Sequence, residues 1–174
     1  VRLLQQRQKM AYSRWRIVGF LCVVLLSNGA MSSKELLTKM TIGFFDVVDQ
    51  CRRELKLGEN VILDMYYFWR EEYQLVNRDF GCIVYCMAGK LDLMGDDEKI
   101  HHGKTADFAK SHGADEDVAK QLVALIHECE KVHAGIEDNC SRVLETSKCF
   151  RTKIHELKWA PTMEVGMEEL ITAV

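Results

Sequence analysis

Six cysteines, Cys51, Cys82, Cys86, Cys129, Cys140 and Cys149, follow a short apolar segment near the N-terminus, and this pairing of features constrains the chain most. A seventh, Cys22, lies inside the apolar segment itself. If the segment is removed, an even set remains, which in an oxidising compartment reads as a disulfide framework with fifteen possible pairings. Cys82 and Cys86 stand at i and i+4, so on a helix both sulfurs share one face and cannot readily bond each other. Each must reach a different segment, which makes that helix a hub. C-x₃-C also lacks the short knuckle of a zinc site, so no metal is expected.

The apolar segment reads as an address. Ile17 to Leu26 is a run of ten residues preceded by Arg14 and Arg16. A membrane span needs roughly 20 apolar residues, whereas a secretory core needs about 7–15 behind a basic stretch. Ala30 and Ser32 supply the small residues for cleavage after Ser32, and a cut after Ala30 is the alternative. Met10 is the expected initiator, with residues 1–9 upstream of it. Residues 1–32 are therefore expected to be upstream sequence plus signal peptide, and 33–174 a secreted, soluble, single domain. Removing the five basic groups of 1–32 leaves 18 basic and 26 acidic residues in the remainder. Such a surface repels nucleic acid and anionic lipid.

Helical periodicity runs through the rest. Leu36, Leu37, Met40, Phe44, Val47, Val48, Cys51 and Leu55 step by three and four, predicting a helix over 34–57 broken near Gly43 and stopped at Gly58. Asn60 is expected to cap a short helix ending at Phe68, and Asn77 or Asp79 to start the hub helix through Leu91. Gly95-Asp96-Asp97 reads as a turn, and His102–His112 as a helix closed by Gly113. Asp115 caps a strong helix with Glu116 and Asp117 in its first turn. Asn139 is expected to cap the last full helix. Although Asn139-Cys140-Ser141 matches a glycosylation sequon, a bridge cysteine in its middle favours the cap. Pro161 separates that helix from a tail over 162–174. The fold expected is all-α, one domain of about six helices stapled by three bridges, and periodicity alone reads its apolar interior as a packed core.

Catalytic chemistry is missing from the sequence. His127 and His133 fall on different helix faces, and His101 and His102 point apart. There is no G-x-S-x-G, H-E-x-x-H or phosphate loop. A small secreted phospholipase would need a Cys-Cys-x-x-His-Asp helix and a calcium loop, and neither occurs. Neither an enzyme nor a cofactor is expected.

Several stretches sharpen the identification. Asp64 to Asn77 (DMYYFWREEYQLVN), His101-His102-Gly103, Phe108 to Asp115 (FAKSHGAD), His127-Glu128-Cys129-Glu130 and Leu157 to Pro161 (LKWAP) join the spacing C-x₃₀-C-x₃-C-x₄₂-C-x₁₀-C-x₈-C. Together these resemble the insect odorant-binding proteins, and specifically the moth pheromone-binding proteins, over essentially all of 33–174.

The resemblance implies the pairing Cys51–Cys86, Cys82–Cys140 and Cys129–Cys149. It implies a cavity for a long unsaturated chain walled by Phe44, Phe68, Phe108 and Phe150, with Trp69, Val84, Ala88, Met94, Ile100 and Ile126 at wall or rim. Polar contacts to the ligand would come from positions matching Thr41, Tyr85 and Ala88. Ala88 has no hydroxyl, a departure from relatives with Ser, which leaves Thr41 as the expected head-group donor and Arg142 as a second. The implied function is a secreted carrier, in sensillum lymph, of a long-chain acetate, aldehyde or alcohol for an olfactory receptor at a membrane. A homodimer is compatible with this. A general odorant or fatty-acid carrier is the alternative, and a secreted odorant-degrading hydrolase the rival from another class. Acid release is also implied: Glu164, Glu168 and Glu169 hold the tail outside while ionised, and His101, His102 and His127 gain charge as pH falls. Ala173 stands where relatives often carry an acid, which makes that switch shallower.

Overall fold

The computed structural model describes residues 31–161, so the proposed signal segment with Cys22, and the tail with Glu164, Glu168 and Glu169, lie outside the described residues. Seven helices occur among the described residues, one more than expected. They are α1 (Ser33–Phe45), α2 (Val48–Leu55), α3 (Asn60–Tyr67), α4 (Arg78–Lys90), α5 (His102–Ser111), α6 (Glu116–Val132) and α7 (Asn139–Glu156). All belong to one compact unit.

The extra helix comes from the break in the first one, which falls at Asp46-Val47 rather than at Gly43. Gly43 is internal to α1, and its hydrogen faces the His112 ring, whose Nε2 sits 2.1 Å from where a Cβ would be. That glycine serves close packing, not termination. Gly58 is likewise not the stop: α2 ends at Lys56, in the left-handed region at φ 54°, with the Lys56 and Leu57 N–H groups donating back to Arg53 and Arg52. Caps shift by one residue in two further places. Glu59, not Asn60, precedes α3. Asp138, not Asn139, caps α7, its carboxylate accepting from Ser141 N–H at 2.7 Å. Asn77 and Asp115 cap α4 and α6 as their positions predict. Ser32 and Glu35 open α1, the serine hydroxyl accepting from Glu35 N–H.

α4 is the hub. It packs most extensively on α7 and also meets α1, α2 and α3, while α6 bridges α5 and α7. Cys51–Cys86 ties α2 to α4, Cys82–Cys140 ties α4 to the start of α7, and Cys129–Cys149 ties α6 to α7. This is the pairing that the resemblance implies, and it sends Cys82 and Cys86 to different partners. Ile83 and Met87 of α4 are fully buried in a core shared with Cys51, Val61, Leu75 and Leu144. Val84 and Ala88, one residue on in the same register, line a cavity instead. Three stripes of one helix thus serve bridges, core and cavity, as the helical period allows.

Candidate binding cavity

A cavity of about 560 Å³ lies among α1, α4, α5, α6, α7 and the segments between them. The twelve residues singled out from the sequence all border it. Thr41 and Phe44 come from α1, Phe68 and Trp69 from the loop after α3, and Val84 and Ala88 from α4. Met94 and Ile100 flank the turn after α4, Phe108 and Ile126 come from α5 and α6, and Arg142 and Phe150 from α7.

One end is aromatic. Phe68 stacks on Phe80 at 5.4 Å between ring centroids and meets Trp69 edge-on at 4.8 Å, while Trp69 faces Phe150 at 6.4 Å. The loop carrying Phe68 and Trp69 has no regular structure of its own. Arg151 holds it, donating to the carbonyls of Phe68, Arg70 and Tyr73 at 3.1, 3.4 and 3.2 Å. His155 Nε2 adds a contact to the Trp69 carbonyl at 2.9 Å. Arg151→Met keeps the aliphatic stem and removes the fork, so it is expected to cost about 1.5–3 kcal/mol of stability. Urea unfolding checks this, and a red-shifted Trp69 emission in the folded variant should accompany it.

Thr41 is placed on the wall, but not as a free donor. Its hydroxyl gives its one proton to the Leu37 carbonyl at 2.7 Å and accepts the Trp69 indole N–H at 3.1 Å. In this arrangement the hydroxyl has no second proton for a head group, and it holds the Trp69 indole.

The other end is polar, which the apolar periodicities did not reveal. Asp97, Glu98 and Lys99 come from the turn closed by the isolated Met94–Ile100 bridge. Glu130, Glu137 and Asn139 join them from α6, the loop after it and the start of α7. Freed from capping, Asn139 donates its amide to the Tyr85 hydroxyl at 3.3 Å and to Glu98 at 3.0 Å. Its carbonyl accepts from Arg142, whose guanidinium also donates to the Ile136 carbonyl at 2.9 Å. Burial, followed by the Glu98 charge, raises the Tyr85 pKa above its ordinary value, so the phenol keeps its proton. The one clue in the sequence was the D-D-E-K run between two wall residues, Met94 and Ile100.

The three histidines stand beside the wall rather than in it. His101 caps α5, Nδ1 accepting from Lys104 N–H at 3.3 Å. His102 and His127 stack in parallel at 5.6 Å, and His127 Nδ1 meets Glu130 at 2.9 Å. The other oxygen of Glu130 accepts the Ile100 N–H at 2.9 Å, pinning the turn to α6. Among the described residues no cluster of His, Cys, Asp or Glu is arranged to hold a metal ion, and no helix is long and apolar enough to cross a membrane.

Comparison with known proteins gives a consistent picture. The model of the PBP/GOBP family matches residues 33–153. The chain is 40% identical over 159 residues to pheromone-binding protein 2 of Epiphyas postvittana, covering 91% of this chain and 96% of that one. It is 34% identical over 156 residues to general odorant-binding protein 2 of Manduca sexta, covering 90% and 96% respectively. The crystal structure of Epiphyas postvittana pheromone binding protein 3 superposes with a TM-score of 0.61 at 55% identity, covering 66% of this chain and 97% of that chain. A family match over more than half the chain, with relatives aligned along nearly their whole length, establishes that the chain belongs to the PBP/GOBP family, whose members are carriers and not enzymes.

Proposed function

We propose that this carrier binds a long aliphatic chain with an uncharged oxygenated head group, an acetate, aldehyde or alcohol, and delivers it to a membrane receptor. The observation that carries the proposal is the cavity's two unlike ends. Its volume of about 560 Å³ lies within the range of about 300–1,000 Å³ usual for small-molecule sites. Burying about 12 methylenes gains roughly 10 kcal/mol gross. Association and frozen rotors offset about 4–15 kcal/mol of that, so chain burial alone leaves at most about 6 kcal/mol, a Kd of roughly tens of micromolar, and tighter binding needs polar contacts to the head group as well.

Charge decides between head groups. Four acids, Asp97, Glu98, Glu130 and Glu137, border the polar end against two bases, Lys99 and Arg142. The guanidinium is already engaged by Asn139 and the Ile136 carbonyl. A carboxylate would meet net negative charge there, so a fatty-acid carrier is the weaker reading.

Acid release is part of the same proposal. Protonating His101 turns the acceptor that caps α5 into a donor and sets a positive charge at a helix N-terminus. Charging both His102 and His127 sets like charges face to face, with Glu130 as the countercharge on α6 and Lys104 nearby on α5. Glu130 holds the Ile100 side of the turn, so strain there reaches the cavity wall. Neutralised Glu164, Glu168 and Glu169 would then let the tail enter the vacated space. Tetradecyl acetate titrated into the full chain is expected to lose about tenfold or more in affinity between about pH 7 and about pH 5, histidine being the side chain that changes charge there. A chain ending at Pro161 should lose less. Equal losses would rule out the tail, and no binding at about pH 7 would overturn the carrier itself.

A further inference from the structure

We infer that Thr105 and Thr146 add hydrogen-bonding positions to the cavity wall, beyond the charged groups of its polar end, which select chains carrying an acceptor oxygen over plain hydrocarbons. Both threonines line the cavity. In both, Oγ1 is buried and has no hydrogen-bond partner among the described residues. Thr105 is 5% exposed as a whole residue.

The contrast with the other described threonines is informative. Helical threonines normally satisfy the hydroxyl by donating to the carbonyl one turn back. Thr38, Thr41 and Thr152 do so, at 2.8, 2.7 and 3.1 Å. Thr105 and Thr146 have the same option on α5 and α7 but do not take it. A buried hydroxyl with nothing to bond is costly, so it marks a place where a partner is supplied from outside the described chain.

Position says what that partner is. On α7, Arg142, Thr146 and Phe150 follow at intervals of four and all border the cavity, so they share one face. Thr146 therefore lies about one turn, roughly 5.4 Å, from the polar end and the same from the aromatic end. On α5, Thr105 precedes the wall residue Phe108 by three residues. Neither hydroxyl has a partner on the protein among the described residues, so an ester, carbonyl or hydroxyl oxygen of the ligand can meet it, whereas a methylene leaves it unpaired. Small pocket changes in chain length discriminate weakly, while a site built for a hydrogen bond penalises a ligand that lacks it.

This inference rests on the carrier reading, and its test separates the two. Full-length wild type, Thr105→Val, Thr146→Val and the double variant are titrated with tetradecyl acetate and with hexadecane, by displacement of a fluorescent reporter. Each Val variant is expected to bind the acetate about three- to tenfold more weakly and hexadecane equally or more tightly. Thr146→Ser, which restores a hydroxyl, should recover the acetate affinity. Equal shifts for both probes, or no shift for either, would overturn the selective role while leaving the carrier intact. Failure of wild type to bind either probe would overturn the carrier reading and this one with it. Unchanged helical circular dichroism in each variant excludes misfolding as the source of a loss.

Discussion

Gly81→Ala is expected to destabilise the fold by at least about 3 kcal/mol, the upper end of what overpacking ordinarily costs. Gly81 lies in α4 where that helix crosses the start of α7. A Cβ there would stand 1.9 Å from the Cys140 carbonyl oxygen, 2.8 Å from its carbon and 2.9 Å from Leu144 N. All three are backbone atoms, so no rotamer change makes room. The adjacent Cys82–Cys140 bridge holds its two Cα atoms 4.4 Å apart, so the helices cannot simply part at this crossing. Separation would also open the core between Ile83 and Leu144. Gly89, later in the same helix, has nothing within 4 Å of its would-be Cβ. Gly89→Ala should therefore stabilise by up to about 1 kcal/mol through helix propensity alone. Urea unfolding of both oxidised variants reads the difference. A Gly81→Ala protein within about 1 kcal/mol of wild type would show that the crossing is not tight.

That crossing illustrates what a sequence of this kind makes legible. The i, i+4 cysteines were visible, and they sufficed to identify α4 as the element that several segments must reach. The glycine preceding Cys82 carried no signal, because closeness between α4 and α7 is set by residues some sixty positions apart. Caps were legible to within a residue. Asp138-Asn139 offers two competent caps in a row, and the choice rests on which one the neighbouring surface needs elsewhere. Asp138 is taken by both the α7 N-terminus and the guanidinium of Arg78, leaving Asn139 for Tyr85 and Glu98.

The cavity divides in the same way. Its apolar wall followed from helical periodicity together with a family resemblance, since residues on apolar stripes face inward whether they meet a core or a ligand. Its polar end did not follow, because Asp97, Glu98 and Lys99 sit in a turn, where charge is unremarked. The Glu130 bond to Ile100 N–H, between residues 30 positions apart, fastens that turn to α6. Thr41 shows the limit of reading polar residues singly. Its hydroxyl looks available until Trp69, 28 residues away, is seen to use it.

Asp64→Ala is expected to cost about 3 kcal/mol and to weaken ligand binding as well, because two charge-assisted hydrogen bonds disappear from a buried site. Asp64 is 5% exposed and accepts from the Tyr73 hydroxyl and from the Asn77 amide, each at 2.6 Å. Asn77 uses its other side-chain atom to cap α4, accepting from Asp79 N–H at 3.1 Å. The carboxylate, on α3, thus holds the loop between α3 and α4 at its middle and at its far end, and that loop carries Phe68 and Trp69 into the cavity. Tyr73 reports on the arrangement directly. The Asp64 hydrogen bond first, then burial, push its pKa up to about 12. The phenol is therefore raised above its unfolded value of about 10, so the stabilisation it represents is complete below that pH and is lost as pH rises through about 12. In Asp64→Ala the phenol should ionise earlier, seen as phenolate absorbance developing at lower pH. Asp64→Asn should fall between the two, since its amide can accept from Tyr73 yet turns a donor toward the donor of Asn77. If Asp64→Ala leaves both the alkaline titration and the unfolding midpoint unchanged, the carboxylate is not the anchor of this loop.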